Sequence, residues 1–148
     1  MKYFPISNTL FSKNRKHFVE NMLDNSIAFF NSNDCYPVSA DTTLPFEQHR
    51  DLFYLSGINQ EETVLLIYKY NDSNYEEVLF LTKPNDLLTH WEGERLNEEK
   101  AYSISGIKTV YWLEQLDVVV KKIMQNVKIL YLNKNEHYRA KVETETRE

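Results

Sequence analysis

Three uninterrupted apolar runs, LFYL (52–55), VLLIY (64–68) and VLFL (78–81), set the terms on which this chain can fold. They lack the polar alternation of a half-exposed sheet, so each is predicted to be a strand covered on both faces. The intervening segments, 56–63 and 69–77, are too short for a helical crossover, and the three neighbours are therefore expected to run antiparallel. NDSN (71–74) is built of residues that tolerate turn conformations and predicts a hairpin. An antiparallel centre with two covered faces demands helices on both sides.

The flanking sequence offers those helices. Residues 7–24 place Leu10, Phe11, Phe18, Val19 and Met22 near one apolar stripe and leave Asn14, Arg15, Lys16 and Glu20 for solvent. Either Ser7 or Ser12 is suited to cap this helix. SIAFF (26–30) is an apolar run of strand length, and NSNDCYP (31–37) is dense in turn formers. DLLTHW (86–91), after Pro84, reads as a short helix; Asn97 is suited to cap EEKAYSIS (98–105), with Gly106 as its stop. KTVYW (108–112) and KILYL (128–132) read as strands. Between them, LEQLDVVVKKIMQN (113–126) reads as a helix with Leu113, Leu116, Val120, Ile123 and Met124 on one side. This order predicts an α/β fold, a three-layer sandwich with a mixed five- or six-stranded sheet flanked by helices, over residues 1–132. From Asn133 apolar residues become sparse, and 133–148 read as a connector or an exposed tail.

Composition narrows the function. The net charge of −5 argues against binding a phosphate backbone, so no nucleic-acid partner is expected. No stretch approaches the roughly 20 apolar residues that span a bilayer, and the N-terminus lacks the apolar run of a secretory signal, so no membrane partner is expected. With Cys35 the single cysteine, no internal disulfide can form; a reducing, cytoplasmic setting is expected. His17, His49, His90 and His137 are scattered without ligand spacing, and no metal site is expected in the chain. Cys35 has no basic neighbour in sequence to activate it, no G-x-S-x-G elbow occurs, and the pairs Glu61–Glu62 and Glu76–Glu77 read as solvated strand ends. No catalytic residue is expected, and the segment alone is expected to be inactive.

Two blocks carry a more specific signal: LPFEQHRDLFYLSGINQEETVLLIY (44–68), with a Y-x-x-G step at Tyr54 and Gly57, and HWEGERLNEEKA (90–101), whose W-x-G-x-R-L is formed by Trp91, Gly93, Arg95 and Leu96. In order and spacing they resemble the N-terminal domain of the creatinase/prolidase/aminopeptidase P family, nearest its Xaa-Pro aminopeptidase branch. The resemblance covers nearly the whole chain. It implies a parent metallopeptidase that removes an N-terminal residue preceding proline. The chemistry would reside in a second, C-terminal domain holding two divalent metal ions, usually manganese; none of its Asp, His and Glu ligands maps onto this chain. The present segment would shape substrate access and build oligomer contacts. Its implied partners are its own C-terminal catalytic domain, further copies of itself in a homo-oligomer, and a peptide with proline at the second position.

For individual residues, the resemblance implies that Trp91, with His90 and Arg95, reaches the substrate pocket of a neighbouring subunit. The alternative is an indole packed on its own sheet or its own catalytic domain. Arg50, Asp51, Gly57 and Gly93 read as loop bracing. Arg50 and Asp51 would pair, or Asp51 would accept backbone N–H bonds; the glycines would let their loops turn. Glu47-Gln48 departs from the Arg-Gln pair of many relatives, and the reversed charge counts against an anion-binding role there. A Xaa-Pro dipeptidase (prolidase) shares this domain, and a catalytically inactive peptidase-like binding module is a reading from another functional class.

Overall fold

The computed structural model describes residues 5–40, 42–84 and 95–133. The expected helix at 86–91, together with His90, Trp91 and Gly93, lies outside them, as does the connector beyond Asn133.

Helix α1 (Asn8–Glu20) opens at Ser7, whose hydroxyl accepts the Thr9 N–H at 3.4 Å. Strand β1 (Ser26–Asn31) follows, then a short exposed hairpin of β2 (Pro37–Ser39) and β3 (Thr42–Thr43). Helix α2 spans Arg50–Ser56 and leads into β4 (Val64–Asn71) and β5 (Asn74–Leu81). Helix α3 (Glu98–Ser105), β6 (Thr109–Trp112), a 3-10 turn (Leu113–Gln115), α4 (Leu116–Met124) and β7 (Ile129–Leu132) complete the described chain.

The main sheet has five strands in the order β6-β5-β4-β1-β7. Its inner pairs, β5–β4 and β4–β1, are antiparallel; the outer pairs, β6–β5 and β1–β7, are parallel. The mixed five-stranded α/β sheet and the 71–74 hairpin agree with expectation. Asn71 Oδ1 accepts the Ser73 and Asn74 amides at 3.0 and 3.1 Å, an Asx turn that joins β4 to β5.

Residues 52–55 are a correction, because the expected strand is the core of α2. The third antiparallel neighbour is β1, the SIAFF segment. A run of four apolar residues carries too little periodicity to separate strand from helix. Burial follows the helical period here: Leu52, Leu55 and Ser56 are buried while Phe53 and Tyr54 face outward. The helix also has both punctuation marks, His49 at its start and Gly57 in the left-handed conformation (φ 70°) at its end.

The continuous apolar strands are explained by the two layers above and below them. Ala28, Phe30, Leu65, Ile67, Leu79 and Leu81 join the core beneath α1, α2 and α3, whereas Ile27, Leu66, Tyr68, Val78 and Phe80 face α4. Each fully buried aliphatic side chain contributes roughly 1.5–3 kcal/mol. Arg15 is a second correction, since it is fully buried rather than solvated. It sits one turn from both Phe11 and Val19, on the face that α1 turns inward. Among the described residues no helix is long and apolar enough to cross a membrane.

Candidate functional site

The short connection from α2 to β4, residues 57–63, is the hub on which the two sequence blocks converge. Gln48 reaches it first: its Nε2 donates to the carbonyls of Ile58 (3.2 Å) and Gln60 (2.8 Å), while its Oε1 accepts the His49 amide at 2.8 Å. Gln60 in turn accepts the Leu96 amide on Oε1 at 2.8 Å. Thr63 is buried and exchanges bonds with Ser32 on the neighbouring chain segment, N–H to Oγ at 3.1 Å and carbonyl to N–H at 2.9 Å. Paired polar groups of this kind hold an irregular segment in one shape, because an unpaired buried group costs about 1–3 kcal/mol.

Glu62 is the charged centre of the hub. Its Oε2 accepts from Arg95 Nη1 and from Thr82 Oγ1, each at 2.9 Å, and Arg95 Nη2 lies 4.0 Å from Glu61 Oε1. The Arg95 hydrogen bond, then that of Thr82, holds the Glu62 carboxyl below its ordinary range, against a smaller opposing push from burial. The backbone of Glu62 is left-handed (φ 51°), a conformation that a side chain with a Cβ adopts at some cost. The pair Glu61–Glu62, expected to be solvated, therefore receives the arginine of the W-x-G-x-R-L motif. Glu92 and Glu94, the carboxylates nearest Arg95 in sequence, lie outside the described residues.

Arg50 and Asp51 occupy the first turn of α2 and form no ion pair with each other. The Asp51 amide donates to His49 Nδ1 at 3.3 Å, and its carboxylate suits the positive end of the helix dipole. Gln48 and Gln60, two neutral amides that charge-based reasoning passed over, brace the connection that follows α2. Arg50 instead lies on the wall of an apolar groove of about 520 Å³ between α1 and α2, with Ile6, Leu10, Phe46, Phe53 and Tyr54. The described chain ends next to this region, where the Asn133 side-chain amide lies 3.1 Å from the His49 ring nitrogens.

Among the described residues no three His, Cys, Asp or Glu side chains gather where they could hold a metal ion, so this chain's described donors do not fit a dinuclear centre. The neighbouring Glu61 carboxylate, with burial and further negative charge from Asp34 and Glu62, pushes the Cys35 thiol up to about 11. Reaction with a disulfide reagent at pH 8 is accordingly expected to be slow. Glu61→Gln should raise the rate by about tenfold or more as the thiolate fraction recovers. Stopped-flow reaction with a disulfide reagent across pH 7–10 checks this; a wild-type rate equal to that of free cysteine would refute it.

Residues 11–131 match the family model of the aminopeptidase P N-terminal domain. A Xaa-Pro aminopeptidase of Escherichia coli is 28% identical over 138 residues, covering 93% of this chain and 31% of that protein. A Xaa-Pro aminopeptidase of Haemophilus influenzae is 33% identical over 91 residues, 62% of this chain and 21% of that one. Among solved structures, aminopeptidase P of E. coli with the inhibitor Pro-Leu superposes with a TM-score of 0.82 at 26% identity, covering 93% of this chain and 31% of that one. A Bacillus anthracis structure of the aminopeptidase P type gives 0.87 at 29% identity, covering 95% and 34%. The chain thus spans about a third or less of the length of these relatives.

Proposed function

Because this chain belongs to the aminopeptidase P N-terminal domain family, we propose that it is the non-catalytic N-terminal domain of a metal-dependent Xaa-Pro aminopeptidase. The observation that carries this reading is the match of residues 11–131 to a domain that makes up about a third of named Xaa-Pro aminopeptidases. On this reading hydrolysis belongs to a downstream domain, where two divalent ions, manganese by the family's habit, would supply an activated water. The residues of the present chain restrict access and make contacts. A proline at the second position leaves the scissile amide without an N–H, so recognition depends on the shape of the pocket walls.

Trp91 is the residue proposed for such a wall, acting with His90 and Arg95 across a subunit contact. Arg95, anchored on Glu62, supports this by giving the segment a fixed point of return. The exposed apolar side chains Ile6, Leu10, Phe53 and Tyr54 support a domain built to meet a partner, its own catalytic domain or a second subunit.

In the full-length protein, Trp91→Ala is expected to lower kcat/KM on an Xaa-Pro-Xaa peptide by about 30-fold, equivalent to the roughly 2 kcal/mol of an interface anchor. The melting temperature should be unchanged. Mixing Trp91→Ala subunits with subunits lacking a metal ligand should restore part of the activity. Unchanged kinetics in Trp91→Ala would defeat the proposal.

A further inference from the structure

We propose that Glu62 is the positioning residue of the W-x-G-x-R-L segment, one carboxylate oxygen clasping both of its stems. Thr82, immediately after β5, and Arg95, two residues before the α3 cap Asn97, bracket residues 83–94 and donate to the same atom, Glu62 Oε2, each at 2.9 Å. The Leu96 amide on Gln60 Oε1 adds a second pin to the outgoing stem at 2.8 Å. Three consecutive residues of the hub, 60–62, therefore engage Thr82 on one side of the segment and Arg95 and Leu96 on the other.

Geometry favours a positioning role over general packing. Glu62 keeps 54% of its side chain exposed while Arg95 keeps 19%, so a largely covered arginine meets its carboxylate at the surface of the hub. Fixing Thr82 and Arg95 side by side costs conformational entropy, and two charge-assisted or polar bonds to a single acceptor offset part of it. Glu62 is presented by a left-handed backbone, which turns the chain sharply between α2 and β4. Among the described residues, the charged and titratable groups around this carboxylate are Arg95, Glu61 and Cys35. The clasp itself stands on the geometry alone; its consequence for peptide turnover rests on the role proposed above for Trp91.

The chain holds two tryptophans, so a Trp112→Phe background leaves Trp91 as the sole reporter of the clasped segment. In that background Glu62→Gln is expected to raise acrylamide quenching of Trp91 about twofold as the charge-assisted bond to Arg95 weakens. Thr82→Val should act in the same direction, and the double variant should add less than the two changes separately. On acidification the unmodified clasp should persist below the ordinary carboxylate range and then open, bringing quenching to the Glu62→Gln value, while Glu62→Gln stays flat over the same interval. Identical quenching in Glu62→Gln and its parent, with both folded by circular dichroism, would overturn the clasp. In the full-length protein, Glu62→Gln should raise KM several-fold with little change in kcat, and Arg95→Lys should restore nothing, because a single ammonium cannot reproduce the fork. Altered quenching combined with kinetically silent Trp91→Ala would uphold the clasp and overturn only the pocket-wall reading.

Discussion

Arg15→Ala is expected to remove about 3–5 kcal/mol of folding stability, the loss typical of taking one member from a buried charged pair. The guanidinium is fully buried and spans three elements. Its Nη1 donates to the Leu55 carbonyl at 2.7 Å, its Nη2 to Ser12 Oγ at 3.3 Å, and its Nε lies 2.9 Å from Glu77 Oε2. The Glu77 contact is short enough for an ion pair yet misaligned for a hydrogen bond, so charge carries it. Truncation to alanine leaves the Leu55 carbonyl, at the negative end of α2, without its cation, strands Glu77, and opens a void among Phe11, Val19 and the sheet. Arg15→Lys should fall between the two, since one ammonium replaces three directed donors. Urea unfolding followed by circular dichroism at neutral pH measures both; a loss below about 1 kcal/mol for alanine would mean that the site relaxes around the deletion.

Gly57→Ala is expected to cost about 2–5 kcal/mol, the left-handed penalty plus overpacking. Gly106→Ala should cost only about 1–2 kcal/mol. Both glycines end helices at nearly the same positive φ, 70° and 74°. They differ in what an added methyl meets. At Gly57 it would lie 2.9 Å from Phe11 Cδ2 and nearer still to two other atoms of that buried ring, which packs edge-on against Phe53. At Gly106 it would meet Ser12 Oγ at 2.8 Å, a hydroxyl that can rotate away, with the nearest backbone atom at 3.7 Å. Parallel denaturation curves check the difference, and equal losses would show that backbone strain alone governs both sites.

The two helix ends also illustrate what could be read in advance. SGI occurs at 56–58 and again at 105–107, and the two copies fold alike: each serine hydroxyl donates to the carbonyl four residues back, at 2.7 and 2.8 Å, and accepts the amide two residues on, at 3.1 Å. Gly106 was legible as a stop because a capped helical segment precedes it. Gly57 pointed to a turn, but without the capped window from His49 the run before it read as a strand. The β4–β5 hairpin was legible because length, apolarity and turn chemistry agreed. Arg15 and Glu62 were not, for a shared reason: their partners lie far along the chain. Leu55 is 40 positions from Arg15, and Arg95 is 33 from Glu62. Local periodicity assigns an isolated charge to solvent, and only tertiary structure supplies its counter-charge. The W-x-G-x-R-L spacing pointed to Arg95 without indicating what would hold it.

The pairing of β1 with β7 constrains how this domain is made. These are the first and last strands of the main sheet, joined in parallel with Ser26 opposite Ile129. During synthesis β4 and β5 can close early, since their hairpin is local, and β1 can add to them as soon as β4 has emerged. The other edge of β1 then stays open until the final strand leaves the ribosome. For that interval a nearly all-buried apolar strand presents unpaired backbone groups, a template for pairing with another nascent chain. Slow translation after residue 81 would lengthen that exposure, whereas rapid delivery of β7 would end it.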